Sequence, residues 1–247
     1  MIIKKDILYI PTNKTRTLHI YLPDDYEYSK EKYPVMYFFD GHNLFSDEDA
    51  TFGKSWGLKS FLDYWPKKMI IVGIECGHEK NERLSEYLPY STKGTKFSRF
   101  KVLGKKTFKW IIEEVKPMID KQYRTYPFRE CCAIAGSSMG GLMALYGVLC
   151  HNDIFSKAAC ISSSISFCFD KVEKDLNRKQ LSSDTRVYLS WGEYEEFSTT
   201  YHHHEIIFEK MMYQNAAVKV HRQLQGNHNE ASWELLVPDF MDFLWMQ

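Results

Sequence analysis

The chain has 247 residues, 44% of them apolar, which suits one large α/β domain or two small domains. Its 32 basic and 32 acidic side chains cancel, so net charge favours neither nucleic acid nor an anionic membrane as a partner. The N-terminal residues lack a signal-peptide pattern, and no run approaches the ~18 apolar residues of a membrane span. Six cysteines lie in apolar runs without CxxC spacing, which indicates free thiols and predicts a cytoplasmic protein.

Predicted strands and helices alternate along most of the chain. The first two strands, 7–10 and 17–22, are separated by a turn and form an antiparallel pair. Short apolar runs predict buried parallel strands, and apolar spacings of three and four predict helices. The pattern indicates a single α/β domain over residues 1–247, with a mostly parallel sheet between helices. The remaining predicted strands are 35–39, 69–74, 131–135, 187–189 and 218–224, and the helices are 108–119, 139–149, 203–214 and 231–245.

Residues 136–140 read Gly-Ser-Ser-Met-Gly and match the GxSxG pattern with Ser138 at the centre. The segment follows a predicted strand and opens a predicted helix, as a nucleophile elbow requires. Gly136 and Gly140 stand where such a tight turn admits only small residues. A small-residue turn without function is the alternative, since the pattern also recurs by chance. The strand–turn–helix context favours Ser138 as a nucleophile, and the spacing leaves Ser137 a structural residue.

A serine hydroxyl needs a positioned base and acid, which follow it in the chain order serine, acid, histidine. His228 comes just after the last predicted strand and is the candidate base, with an exposed loop histidine as the alternative. Three carboxylates, Glu193, Glu195 and Glu196, come directly after the preceding predicted strand. We select Glu195 as the acid, with Glu193 next, because the sequence does not show which side chain points inward.

Acyl transfer also requires backbone N–H donors for the developing oxyanion. Met139, the residue after the candidate nucleophile, is one predicted donor. His42, in the loop after strand 35–39, is the other, because Gly41 allows close backbone approach and could also contact substrate. An ordinary Asp-Gly turn is the alternative for this loop.

Three tryptophans are candidate walls of a substrate pocket: Trp56, Trp65 and Trp191, of which the first two could equally be packing residues. The basic segment 91–106, including Lys93 and Lys96, would attract an anionic substrate or simply form a solvated loop. The histidine run 202–204 has no carboxylate or thiol at ligand spacing, so a solvated helix start is favoured there over a metal site.

Four segments together resemble the putative-esterase family of α/β hydrolases. They are residues 35–45, 83–87, 135–142 and 226–233, in the expected order across most of the chain. Residues 188–195 are similar to the acid-bearing segment of the family and support Glu195. The sequence departs from the family at His42, where Gln is more common, and at Asn227, where Gly is frequent. The family includes enterochelin-esterase-like proteins, feruloyl and acetyl xylan esterases, S-formylglutathione hydrolases and tributyrin-type esterases.

The resemblance implies an α/β-hydrolase fold and an acyl-enzyme mechanism carried by Ser138, Glu195 and His228 without a metal or organic cofactor. It predicts a serine esterase for small-molecule substrates, on short-chain or on carbohydrate and phenolic acyl esters. Siderophore lactone or thioester hydrolysis and acyl transfer remain alternatives, and the fold alone also permits a non-catalytic binding protein. The intact serine, acid and histidine argue against that last alternative. The sequence leaves the oligomeric state open.

Overall fold

The computed structural model describes residues 1–92, 98–195 and 198–246. The described residues contain one sheet whose strands are β1 (Ile2–Tyr9), β2 (Lys14–Tyr21), β3 (Val35–Phe39), β4 (Ile70–Ile74), β5 (Cys132–Ser137), β6 (Lys157–Ile161), β7 (Arg186–Gly192) and β8 (Ala217–Gln223). Their spatial order is β1-β2-β4-β3-β5-β6-β7-β8. β2 pairs antiparallel with both β1 and β4, and every other neighbouring pair in this order is parallel. The carboxyl ends of β3 to β8 therefore meet at one edge of the sheet.

Helices connect the strands of the described chain. A 3-10 helix, Gly41–Asn43, follows β3, and a π-helical segment, Ile111–Val115, lies between two of the α-helices. No helix among the described residues has both the length and the apolar character needed to cross a membrane. The α-helices are α1 (Leu58–Leu62), α2 (Glu82–Glu86), α3 (Gly104–Trp110), α4 (Lys116–Gln122), α5 (Met139–Cys150), α6 (Phe169–Arg178), α7 (Ser198–Tyr213), α8 (Glu230–Glu234) and α9 (Val237–Trp245).

The sheet is buried on both faces, as alternate residues of β3 show. Tyr37 and Phe39 belong to one apolar cluster, which includes Leu142 of α5. Phe38 belongs to a second cluster, which includes Phe240 of α9. A strand covered on both sides needs apolar residues at every position, which explains why its sequence is a continuous apolar run.

The mostly parallel sheet with its antiparallel N-terminal hairpin confirms the predicted fold class. One strand, β6, was not predicted, because its Lys-Ala-Ala-Cys-Ile sequence carries little β-branched character. The predicted helix 231–245 is wrong as a single element, since it divides into α8 and α9. Pro238 accounts for the break: it has no N–H to donate to the carbonyl of Glu234, and its ring would clash there.

Candidate active site

A cleft of about 500 Å³ opens at the carboxyl edge of the sheet. The loops after β3 and β4, the end of β5 and the loop before α8 supply its walls. Parallel strands bring their following loops together at this edge, which is where ligands bind in such sheets. The residues lining the cleft include His42, His78, Arg83, Ser138, His228 and Trp233.

Ser138 lies at the turn between β5 and α5, with φ 56° and ψ −120°. Its N–H donates to the carbonyl of Ile161 at 2.9 Å, so β6 fixes the strained residue in place. A Cβ added to Gly136 would lie 2.6 Å from the carbonyl carbon of Gly140, which excludes larger side chains there. The predicted strand–turn–helix geometry is therefore present, with the partly exposed Ser138 side chain at the cleft.

The side chains of His228 and Glu195 lie next to each other and differ in exposure. Nδ1 of His228 lies 3.3 Å from Oε2 of Glu195, and the two side chains are 45% and 7% exposed. Oε1 of Glu195 accepts hydrogen bonds from the Ser162 hydroxyl and from the Gly192 N–H. The edge of the His228 ring packs against Trp233, with ring centroids 5.2 Å apart. Glu195 is thus fixed within the protein while the imidazole reaches the cleft.

The hydrogen bonds around Glu195 determine its ionisation. Burial raises the pKa of this carboxyl, but hydrogen bonds from His228, Ser162 and the Gly192 N–H outweigh burial and lower the pKa below its usual value. Glu195 is therefore ionised at neutral pH. An ionised carboxylate on Nδ1 selects the tautomer that leaves Nε2 free to accept a proton.

The neighbouring candidate acid, Glu193, points elsewhere. Its carboxylate pairs with Arg222 at 3.0 Å and accepts the N–H of Gln225 at 2.9 Å. Of the candidate acids in the described residues, the structure brings Glu195 and not Glu193 to His228. The third candidate, Glu196, lies outside the described residues.

Ser138 and His228 line the same cleft, but no hydrogen bond joins them within the described residues. Oγ of Ser138 lies 3.4 Å from Oγ of Ser164, which is at the long limit for a hydrogen bond. Catalytic hydrogen bonds are commonly long without substrate and shorten in the substrate complex.

The two predicted oxyanion donors lie at the same sheet edge. Met139 is the first residue of α5, and His42 is within the 3-10 helix that follows β3, a direct neighbour of β5. A Cβ on Gly41 would lie 2.4 Å from the carbonyl carbon of Gly73, so the loop backbone packs directly on β4. This contact gives Gly41 a packing role at the floor of the loop.

Asp40 and Arg83 form an ion pair beside the cleft, which the sequence analysis did not identify. Asp40 accepts two hydrogen bonds from Arg83, at 2.7 Å from Nε and 2.8 Å from Nη2. Its N–H donates to the Tyr87 hydroxyl at 3.1 Å. Burial raises the pKa of Asp40, but the charge and hydrogen bonds of Arg83 outweigh it and lower the pKa. Both residues lie in segments that resemble the family, which was the available signal.

Neither Trp56 nor Trp191 is among the described residues that line this cleft. Trp56 is 2% exposed and packs in the core against Phe38, with ring centroids 5.1 Å apart. Trp191 lies outside the described lining of the cleft and contacts the ring of Tyr201 at 5.4 Å. Trp233, which was not selected, lines the cleft instead. A large aromatic side chain is equally suited to a core and to a pocket, so residue type alone could not separate these positions.

The remaining candidates are core or loop residues. Trp65 is buried and donates Nε1–H to Asp242 at 2.9 Å, as its packing alternative requires. Lys93 and Lys96 of the basic segment lie outside the described residues. Lys105, which ends the same segment with Lys106, belongs to α3 and lies 5.8 Å from the ring centroid of Tyr90.

The strand order and the serine turn define the α/β-hydrolase class of fold. The sequence signature of the family described as Putative esterase matches residues 11–240, and the chain belongs to that family. The resemblance inferred from the four segments is thereby confirmed.

Individual relatives are distant. The chain is 24% identical over 180 residues to the uncharacterized protein YbbA of Bacillus subtilis, covering 72% of this chain and 68% of YbbA. It is 29% identical over 150 residues to an esterase of Mycobacterium tuberculosis, covering 60% of this chain and only 29% of that esterase. An IroE-like serine hydrolase from Shewanella oneidensis superposes with a TM-score of 0.78 at 20% identity, over 98% of this chain and 79% of that protein. The last similarity shows the shared fold.

Proposed function

We propose that this protein is a serine esterase that hydrolyses carboxylic esters of small molecules through an acyl-enzyme on Ser138. The observation that carries the proposal is the position of His228, held by the buried Glu195 and lining one cleft with Ser138. Membership of the esterase family supports the same reaction class. The three side chains have the chemistry of nucleophile, base and orienting acid.

In the proposed acylation step, Oγ of Ser138 attacks the ester carbonyl while Nε2 of His228 takes its proton. The N–H groups of Met139 and His42 stabilise the oxyanion of the tetrahedral intermediate. The ionised Glu195 stabilises the imidazolium that forms. His228 then returns the proton to the leaving alcohol oxygen, the ester C–O bond breaks, and the acyl group remains on Ser138.

In the proposed deacylation step, water attacks the acyl carbonyl and gives a proton to Nε2 of His228. The second tetrahedral intermediate collapses when His228 protonates Oγ of Ser138, which releases the carboxylic acid. Because the acyl-enzyme is shared, an alcohol that reached the cleft in place of water would give acyl transfer.

The cleft favours short or polar esters. Its volume, about 500 Å³, lies in the lower half of the range of small-molecule sites. The walls combine the ring of Trp233 with the polar groups of Arg83 and Glu230. Glu230 is buried, and its carboxyl accepts a hydrogen bond from the Asn43 side chain at 3.2 Å. We therefore propose short-chain or carbohydrate and phenolic acyl esters as the substrate class.

The decisive experiment compares the unmodified protein with Ser138→Ala on p-nitrophenyl acetate, butyrate and octanoate. Loss of the nucleophile should lower kcat by several orders of magnitude, on the order of 10⁶ in comparable enzymes. We expect the acetate and butyrate to react faster than the octanoate. A fluorophosphonate should label Ser138 in the unmodified protein and leave Ser138→Ala unlabelled.

Ser137→Ala is the matched control, because it removes the adjacent hydroxyl without touching the nucleophile. It should keep fluorophosphonate labelling and most of the turnover. Equal turnover in Ser138→Ala and the unmodified protein would contradict the assignment. Product analysis with added alcohols would show whether the acyl group passes to water or to an acceptor.

A further inference from the structure

We propose that the wall of the cleft contains a binding site for one divalent metal ion such as Zn²⁺, formed by His42, Cys76 and His78. One ring nitrogen from each histidine and Sγ of Cys76 all lie within 4.8 Å of one another. Imidazole and thiolate are the ligands that Zn²⁺ prefers. The family resemblance implied no metal, and the histidine run at 202–204 lacks ligand partners at the right spacing, so no metal was expected from the sequence.

The fold brings the three ligands together from two loops. His42 follows β3, while Cys76 and His78 follow β4 at a spacing of two residues. β3 and β4 are parallel neighbours that end side by side, at the pair Phe39 and Ile74. The loops therefore leave the sheet at the same height, and their side chains converge.

His42 has one ring nitrogen in a hydrogen bond and one without a partner among the described residues. Its side chain is buried, with 6% of the residue exposed, and Nε2 lies 2.8 Å from the Thr51 hydroxyl. Its Nδ1 is buried without a hydrogen-bond partner. A buried polar atom without a partner is costly unless something binds it. Donation of Nε2–H to Thr51 leaves a lone pair on Nδ1 for a ligand.

His78 has the same arrangement with a carboxylate in place of the hydroxyl. Its Nε2 lies 2.6 Å from Oε1 of Glu75, while the other carboxylate oxygen lies 2.9 Å from Nε2 of His19. Metal-binding histidines almost always donate their second N–H to such a group, which fixes the tautomer and orients the ring. Donation to Glu75 leaves Nδ1 of His78 as the nitrogen available to an ion.

Cys76 supplies the sulfur ligand and is almost fully buried. Burial, together with the nearby Asp40, raises the pKa of its thiol, so the ion must displace a proton when it binds. Asp40 is already paired with Arg83, so the Cys76 thiolate and the nearby Glu75 are the anionic groups that would offset the charge of the ion.

The geometry needs only a small contraction. Tetrahedral zinc with bond lengths of about 2.0–2.3 Å separates its ligand atoms by roughly 3.3–3.6 Å. The side chain of His78 is 53% exposed and can move toward the two buried ligands. Three protein ligands leave a fourth position for water facing the cleft. Without an ion, the 4.6 Å contact between the His42 and His78 rings would be packing alone.

The test measures Zn²⁺ binding by competition with a chromophoric chelator, followed by Co²⁺ absorption. We expect one ion per chain, and a sulfur-to-cobalt charge-transfer band that shows thiolate ligation. Cys76→Ser should abolish that band, and His78→Gln should weaken binding by more than 100-fold, because it removes a ligand. Glu75→Gln, which removes only the orienting carboxylate, should weaken binding by about 10- to 100-fold.

The matched control is the double variant His202→Gln/His203→Gln, which removes the adjacent histidines on α7. It should bind Zn²⁺ as the unmodified protein does. Thermal unfolding checks that each variant folds, and the exposed position of His78 makes its variant the safest. No binding, or binding that persists in His78→Gln and Cys76→Ser, would overturn the proposal. Loss of binding only in the histidine-run variant would assign the ion to α7 instead. Since binding is measured without ester turnover, failure of this proposal and failure of the esterase proposal are distinguishable.

Discussion

Two buried carboxylates each contact one basic side chain of the cleft: Asp40 contacts Arg83, and Glu195 contacts His228. Asp40 binds Arg83 through two hydrogen bonds, at 2.7 and 2.8 Å. Oε2 of Glu195 lies 3.3 Å from Nδ1 of His228, and Oε1 accepts hydrogen bonds from Ser162 and Gly192. Each pair joins a carboxylate to a basic side chain, and the two pairs differ in that basic group.

The basic group of each pair determines whether the pair can take part in proton transfer. A guanidinium stays protonated at all accessible pH values, so the Asp40 pair can only hold structure and charge in place. An imidazole gains and loses a proton near neutral pH, so the Glu195 pair can take part in proton transfer. A buried carboxylate beside a cleft is therefore a candidate member of a catalytic triad only when its partner can exchange a proton.

The largest effect should come from Glu195→Gln, which keeps the size of the side chain and removes the charge on Nδ1 of His228. We expect kcat on p-nitrophenyl acetate to fall by about 10³- to 10⁴-fold, with little loss of stability. Glu193→Gln is the control, since Glu193 binds Arg222 instead, and should change kcat less than twofold. A similar loss of kcat in both variants would contradict the assignment of Glu195 rather than Glu193 as the partner of His228.

Asp40→Asn should mainly lower the stability of the fold, whereas Glu195→Gln should mainly lower kcat. It leaves the partly buried Arg83 without its charged partner, and should lower the free energy of unfolding by about 2–3 kcal/mol. Asparagine tolerates the left-handed backbone of residue 40, with φ 59° and ψ 50°, so the loss would report the ion pair and not strain. Urea unfolding measures it. A stability equal to that of the unmodified protein would show that the pair is not structural.

A smaller effect is expected on the pH dependence of stability, which should differ between the unmodified protein and Glu195→Gln. The pKa of Glu195 is lowered in the folded state from an ordinary value of 4.5. Its contribution to stability is therefore complete above that ordinary value and is lost as pH falls through the lower folded pKa. The melting temperature should fall less steeply below pH 4.5 in Glu195→Gln than in the unmodified protein. Parallel curves would mean that Glu195 titrates normally.

The smallest effect should follow Trp233→Phe, which keeps a ring beside His228 and removes the hydrogen bond from Nε1 to Ser162, 2.9 Å long. We expect a loss of about 1 kcal/mol in unfolding free energy and a reduction in kcat below tenfold. Trp245→Phe is a matched control, because Nε1 of the buried Trp245 has no hydrogen-bond partner in the described structure. Equal losses in the two variants would assign the effect to ring size alone.

The sequence predicted the parts of the site that depend on local patterns. Ser138 could be predicted because its strand, turn and helix are contiguous in the sequence. His228 could be predicted because it directly follows the last strand. The choice between Glu193 and Glu195 rested on resemblance, since two side chains in one turn differ only in where the backbone points them. Ser162 was missed because β6, which positions it, has a sequence poor in strand-forming residues.

Contacts between distant segments explain the other misses. Trp56 is a core residue because Phe38 and Phe240 reach it from β3 and α9, and no local pattern shows that. His42 and Cys76 come together only because β3 and β4 pair in parallel, a register that their separate apolar runs do not specify. These contacts depend on how distant strands and helices pair, which the local sequence pattern does not show.

The contact between Gly41 and Gly73 limits how this protein can change. A Cβ on Gly41 would lie 2.4 Å from the carbonyl carbon of Gly73, and a Cβ on Gly73 would lie 2.8 Å from Cα of Gly41. Either substitution alone would force the loop of His42 away from β4. Once that separation exists, the second substitution meets less resistance, so the two costs should be strongly non-additive. A single substitution at either glycine should therefore be strongly unfavourable. The two positions should change together or remain glycine.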